Sequence, residues 1–237
     1  MAYTALAITV FLFWAGYTVV SEHIPAPDAT DLLLQIPPTG ISHMLHEKIA
    51  GTVLEDLLLI IYLYVYLASI PMAVWYAVFR EPNLAARTLG ALAVLMVLSC
   101  IIYTAVRVTP PHRVYGENPL EGTMQRRWVN DKMVLPSLHA GIVTIFVVVF
   151  WNARNKAVKW FYTVLAPLVW ISAIALLQHW FHDIVTGILF GVFSILITRR
   201  IERHLEHFVR NVPERQAKIW LALSILLAAV LAAARMV

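Results

Sequence analysis

Seven apolar runs, at residues 5–20, 57–78, 84–106, 136–151, 160–177, 184–197 and 219–234, leave this chain few architectures to choose from. A helix crosses the hydrocarbon core of a bilayer in about 20 residues, and it satisfies its own backbone hydrogen bonds where no water can do so. Charged residues make up 14% of the 237 and hydrophobic residues 60%. A soluble domain carries roughly 25% charged residues, so this chain has too little polar surface to cover itself in water. The expected fold is an all-α polytopic membrane protein with about seven transmembrane helices, built as a single integral membrane domain over residues 1–237. The segments between the runs are too short to form separate aqueous domains.

The formal charge of +4 does not point to nucleic acid, because the basic residues are spread over loops beside the apolar runs. Topology and anionic lipid account for them there. The single cysteine, Cys100, lies inside an apolar run and reads as a small buried hydrophobe. The first run lacks a basic start, and Ala26-Pro27-Asp28-Ala29 is a poor cleavage site, so a retained helix is expected rather than a removed signal peptide. Ile41, Met44, Leu45 and Ile49 recur at helical spacing. They predict a short helix lying either in the interface or on the bundle. Ile201, Leu205, Phe208, Val209 and Val212 fit one face of a second, surface-lying helix.

Lys and Arg collect at Arg80, Arg87, Arg154, Lys156, Lys159 and between Arg199 and Lys218. Positive residues favour the cytoplasmic side, which places the amino terminus in the cytosol. Two stretches then face outward, Pro136-Ser137-Leu138-His139-Ala140-Gly141 and His179-Trp180-Phe181-His182-Asp183. Each lies where an apolar run meets a polar loop. The protein is expected in the cell membrane with these stretches on the extracytoplasmic face.

The interval from His139 to His179 is twice the roughly 20 residues that one helical crossing takes, so the chain goes down once and comes back once. Both histidines therefore return to one membrane face, together with the loop from Arg107 to Lys132. His179 and Asp183 stand four apart, so on a helix they share a face and touch. A carboxylate near the bilayer edge is costly unless paired, and an imidazole beside it becomes a stronger base or nucleophile. His139 is expected just inside a helix start behind Pro136 and Ser137, where free backbone N–H groups attract anions. Arg107, Arg113, Arg126, Arg127 and Lys132 add positive charge. Singly, each of these residues has an ordinary interfacial reading; together they outline a phosphoryl-transfer site.

Pro136-Ser137-Leu138-His139 followed by His179-Trp180-Phe181-His182-Asp183 resembles the second and third signature motifs of the type-2 phosphatidic acid phosphatase superfamily. The form of both motifs is most similar to the branch of inositol phosphorylceramide synthases. The resemblance covers about residues 103–191 and implies a six-helix phosphatase-like core plus one further helix. It implies His179 as nucleophile, Asp183 as the carboxylate orienting it, His139 as the acid protonating the leaving oxygen, and Ser137 as a phosphate-binding donor. The implied reaction runs through a phosphohistidine, with no metal and no cofactor. A lipid phosphate from the bilayer is the donor, and water or an alcohol the acceptor.

The chain departs from the pattern twice. A first motif of Lys followed seven positions later by Arg-Pro is absent, and Arg107-Val-Thr-Pro-Pro-His-Arg113 stands in its place. Ser172-Ala173 occupies the position where the phosphatases have Ser-Arg. The synthase-like branch also lacks that arginine, so Arg126, Arg127 or Lys132 is expected to supply the missing charge. Hydrolysis of a lipid phosphomonoester or diphosphate is the leading expectation, and transfer of a phospho-headgroup to a lipid alcohol the alternative. A zinc-dependent intramembrane hydrolase using the His/Asp cluster and a lipid transporter or scaffold without chemistry are remoter ones. His182 matches no motif position and is expected to face the interface or a loop carbonyl.

Overall fold

The computed structural model describes residues 1–123, 131 and 133–234. In chain order its helices are α1 (Ala2–Val20), α2 (Thr30–Leu34), α3 (Ile41–Ile49), α4 (Val53–Ile60), α5 (Tyr66–Trp75), α6 (Pro82–Ala105), α7 (Pro111–Tyr115), α8 (Leu138–Phe150), α9 (Lys156–Ala175), α10 (Phe181–Asn211) and α11 (Glu214–Ala234). Two π-turns, Ile61–Val65 and Tyr76–Arg80, join and extend α4 and α5 into one span, Val53–Arg80. The fold is helical and built for a membrane. Among the described residues five helices are long and apolar enough to cross one: α1, Val53–Arg80, α6, α9 and α10.

The centre of the bundle is α8. Its 13 residues, about 20 Å of helix, are almost all buried, and it packs on α6, α9 and α10. Leu95, Ile142, Ile145, Phe146, Val149, Phe150, Tyr162, Leu165 and Val169 form the core around it. The crossing of α8 and α10 is unusually close and depends on glycine. A Cβ on Gly191 would stand 2.7 Å from the Gly141 carbonyl oxygen, and one on Gly141 would stand 3.1 Å from the Gly187 carbonyl oxygen. With α8 so enclosed, α1 lies outside, against α6 and α11.

Two expectations from the sequence are settled by the fold. The surface helix read after residue 197 is not separate, which corrects the first, because α10 runs unbroken for 31 residues to Asn211. No proline interrupts the sequence until Pro213, so nothing stops the helix where its face turns polar. At about 46 Å it outruns a hydrocarbon core of about 30 Å. Its polar part is fastened to α6 by Arg87, whose guanidinium donates to Glu202 at 2.8 and 3.0 Å. The short helix at 41–49 forms as expected, and of its two expected positions it takes the one on the bundle, against α9.

At the end of the bundle opposite the two motif stretches, the buried Glu81 carboxylate accepts the Arg154 backbone N–H at 2.8 Å and the Tyr76 hydroxyl, joining two basic turns. Lys159 there lies 3.6 Å from the centre of the Trp151 ring. Tryptophan with lysine is what the edge of a bilayer favours.

Candidate active site

The start of α8 and the start of α10 meet at one end of the bundle. Ser137 caps α8, its Oγ accepting the Ala140 N–H at 3.4 Å, and its own backbone N–H donates to the Asp183 carbonyl at 2.9 Å. The Tyr103 hydroxyl donates to the Pro136 carbonyl, tying the same turn to α6. His139 is the second residue of α8, as expected, and its ring reaches the ring of His179. Nδ1 of His139 and Nε2 of His179 are 3.2 Å apart. Ser137 and Asp183 are fully buried and His179 is 5% exposed.

His179 is not on a helix. The expectation of a shared helical face fails because α9 ends at Ala175 and α10 begins only at Phe181. Between them Leu177 takes a positive φ of 56°, a conformation uncommon for a branched residue, and the chain reverses there. The contact with Asp183 is nevertheless made, across the helix start. Asp183 is the third residue of α10, and its Oδ2 accepts the Trp180 N–H at 2.7 Å, as an acidic N3 residue does in a capping box. The same oxygen lies 3.6 Å from His179 Nδ1, a charge contact longer than a hydrogen bond. The helix cap therefore holds the carboxylate beside the imidazole.

Loops close over this pair. On α3, Ser42 donates to the His179 carbonyl at 3.2 Å, while His46 Nδ1 lies 3.1 Å from the Ala175 carbonyl and its Nε2 3.3 Å from Glu117. On α7, the His112 N–H donates to the Leu177 carbonyl at 2.9 Å. Trp180, fully buried, donates its indole N–H to the Thr109 carbonyl at 2.8 Å. The Asp28 carboxyl accepts from Thr30 and Thr109; burial alone would raise it, but these hydrogen bonds outweigh burial and hold it below its usual range.

Arg107 is half-buried in an extended segment whose backbone pairs with Pro27 and Ala29. Arg113 is exposed at the rim, and its guanidinium donates to Asp131 at 2.8 Å. Arg126, Arg127 and Lys132 lie outside the described residues. His182 Nε2 stands 3.3 Å from the Pro37 carbonyl, the loop-carbonyl contact expected of it. Ala173 is fully buried and its carbonyl accepts the N–H groups of Gln178 and His179 at 3.1 and 3.0 Å. Its own side chain brings no charge to the site. Among the described residues no three His, Cys, Asp or Glu side chains are grouped as a metal site.

Tyr62 and Tyr66, which belong to no motif, pack on His139 with ring centroids 4.6 and 4.8 Å away. Ser42, His46, His112 and Trp180 are further residues around the site to which no motif gives a role. The four-residue spacing of the two tyrosines was the available signal for them. Nothing in the sequence marks the loop residues, which act through backbone carbonyls far along the chain.

At one end of this helical membrane bundle, two imidazoles are in contact at a helix start and one of them lies beside a buried carboxylate. The PAP2 superfamily model matches residues 84–206, more than half of the chain and including both motif stretches, and the chain belongs to that superfamily. It is therefore an enzyme of the phosphatase and phosphotransferase kind, acting on phosphate esters. It is also 28% identical over 185 residues to an uncharacterized protein of Methanocaldococcus jannaschii, an alignment covering 76% of each chain. No solved structure matches the chain.

Proposed function

We propose that this protein is a membrane lipid phosphatase that cleaves a lipid phosphate or diphosphate ester through a phosphohistidine at His179. The observation that carries the reading is the 3.2 Å approach of His139 to His179 beside the Asp183 carboxylate. With its proton on Nδ1, facing Asp183, His179 presents a lone pair at Nε2. The Nδ1–H of a protonated His139 then hydrogen-bonds to that lone pair in the resting site. A separation of 3.2 Å leaves no room for phosphorus between the rings. Substrate entry thus turns His179 away from His139 and towards Asp183, shortening the 3.6 Å contact.

In the first step Nε2 of His179 attacks phosphorus, the bond from phosphorus to the ester oxygen breaks, and His139, entering the step as the doubly protonated imidazolium, gives one proton to that oxygen and becomes neutral. In the second, water attacks the phosphohistidine, His139 takes its proton, and inorganic phosphate leaves with the P–N bond broken. The amino end of α8 and its Ser137 cap, with Arg107 and Arg113, and Arg126, Arg127 and Lys132 as further candidates, stabilise the phosphate charge. No metal or cofactor enters these steps. With α8 and α11 read as spans beside the five long helices, the chain crosses the membrane seven times in this proposal. The distribution of Lys and Arg then puts the site at the extracytoplasmic face of the cell membrane.

A second reading, transfer of a phospho-headgroup to a lipid alcohol, draws on Ala173. An uncharged residue where the phosphatases have arginine is shared with the synthase-like branch. A panel of lipid phosphates and diphosphates, assayed in chelator for free phosphate and for new phosphodiesters, tests both. Free phosphate release that His179→Ala abolishes is expected. Phosphodiester formation without free phosphate moves the assignment to the transferase, and activity lost in chelator and restored by zinc overturns both.

A further inference from the structure

Two tyrosines outside the segment matched by the family model enclose His139. Tyr62 stacks on its ring at 4.6 Å and 23°, and Tyr66 lies against it at 4.8 Å and 41°. Both are buried, at 2% and 3% exposed. Four residues apart, they project from one face of the Val53–Arg80 span. Tyr62 lies in the π-turn Ile61–Val65 and Tyr66 follows it directly. Such turns collect at functional sites. Tyr64, between them, is 67% exposed and points away.

We propose that Tyr62 and Tyr66 form an aromatic clamp that positions His139 to protonate the departing alcohol. The inference rests on His139 acting as the proton donor of the proposed phosphatase. Among the described residues, the hydrogen-bond partner of the His139 ring is His179, and substrate phosphate takes that partner away. The tyrosine rings remain. Their faces keep the imidazole aimed at the ester oxygen, and their quadrupoles attract it while it carries the proton to be delivered. The clamp also assigns motion: with His139 held, His179 is the ring that swings to admit phosphate. Tyr62 and Tyr66 are positioning residues, acting through His139 without contributing to the bonds made and broken.

The test compares kcat/KM on two substrates, because this ratio reports the steps up to loss of the leaving group. Dioctanoylglycerol phosphate releases an alkoxide that needs a proton, whereas para-nitrophenyl phosphate releases a phenolate that does not. Tyr62→Leu and Tyr66→Leu are each expected to lower kcat/KM about tenfold on the lipid, part of the typical 10²–10⁴-fold worth of an acid, and less than about twofold on the aryl ester. Phe at either position restores the lipid rate, since it keeps the ring, and Tyr64→Leu leaves both rates unchanged. Equal losses on both substrates, or none, overturn the clamp. His139→Gln separates this from the underlying reading. If that variant shows no preference for the aryl ester, or if the wild type cleaves neither substrate, the proton-donor assignment itself fails. A measurement on the wild type covers the case of unstable variants. The ring protons of His139, identified by their loss in His139→Gln, are expected upfield of ordinary histidine values under the tyrosine ring currents. Ordinary values overturn the clamp.

Discussion

Gly187 on α10 passes so close to Ser137 that a Cβ added there would stand 2.2 Å from the Ser137 carbonyl oxygen and 3.0 Å from the Ala140 Cβ. The neighbour is backbone and cannot move aside as a side chain does. This approach sets the distance between the start of α8, which carries His139, and the start of α10, which carries Asp183. Gly187→Ala is expected to push the helices apart, costing about 1–3 kcal/mol, as overpacking in a tight core does. Turnover should fall at least about tenfold, since a misplacement of reacting groups by about 1 Å costs about 10²-fold. A variant with unchanged thermal melting and unchanged turnover would show that the crossing does not set the site.

Asp183 has two jobs that substitution separates. Its Oδ2 caps Trp180 and also faces His179. In Asp183→Asn the amide oxygen keeps the cap, but the charge that supports the imidazole is gone. The expected outcome is a native melting temperature with turnover lowered about 10²–10⁴-fold, the range typical of acid–base groups and of the loss of a carboxylate beside a catalytic histidine. Asp183→Ala should in addition lose about 1 kcal/mol of capping stability. Wild-type turnover in the Asn variant would remove the carboxylate from the mechanism.

Much of this arrangement was legible in the sequence, for identifiable reasons. Pro136-Ser137-Leu138-His139 marks a helix start by its own chemistry. The interval from His139 to His179 is one hairpin of membrane helices, so the two had to return to one end. What was not legible depends on register or on distant backbone. His179 lies off the helix because Leu177 adopts a positive φ, and nothing about leucine announces that. Tyr62, Tyr64 and Tyr66 lie in one apolar run; their spacing puts the first and last on one face, but nothing in the run says that this face meets His139. The continuation of α10 to Asn211 was hidden by its change from apolar to polar, although Pro213 was the first real stop.

Ser42 anchors α3 to the His179 carbonyl through one hydroxyl at 3.2 Å. A hydrogen bond of this kind contributes about 0.5–1.5 kcal/mol. Ser42→Ala is accordingly expected to lower kcat/KM between about twofold and tenfold, with expression and oligomeric behaviour unchanged. Equal rates in variant and wild type would place α3 outside the determinants of the site.

Arg113 is engaged with Asp131, whereas Arg107 is half-buried on the segment paired with Pro27 and Ala29. Inorganic phosphate should inhibit the enzyme by occupying the site. Arg107→Ala is expected to weaken that inhibition about tenfold, the worth of one charge-assisted hydrogen bond. Arg113→Ala should weaken it less, because phosphate there must compete with a carboxylate. An inhibition constant unchanged in both variants would assign the phosphate charge to other groups.

The proposed phosphatase forms a covalent bond between phosphorus and His179. Wild-type protein turning over a ³²P-labelled lipid phosphate, quenched in alkali and digested, is expected to carry acid-labile label on the peptide containing His179, with none in His179→Ala. Turnover without any trapped label in the wild type, label on another residue, or undiminished turnover by His179→Ala would contradict it.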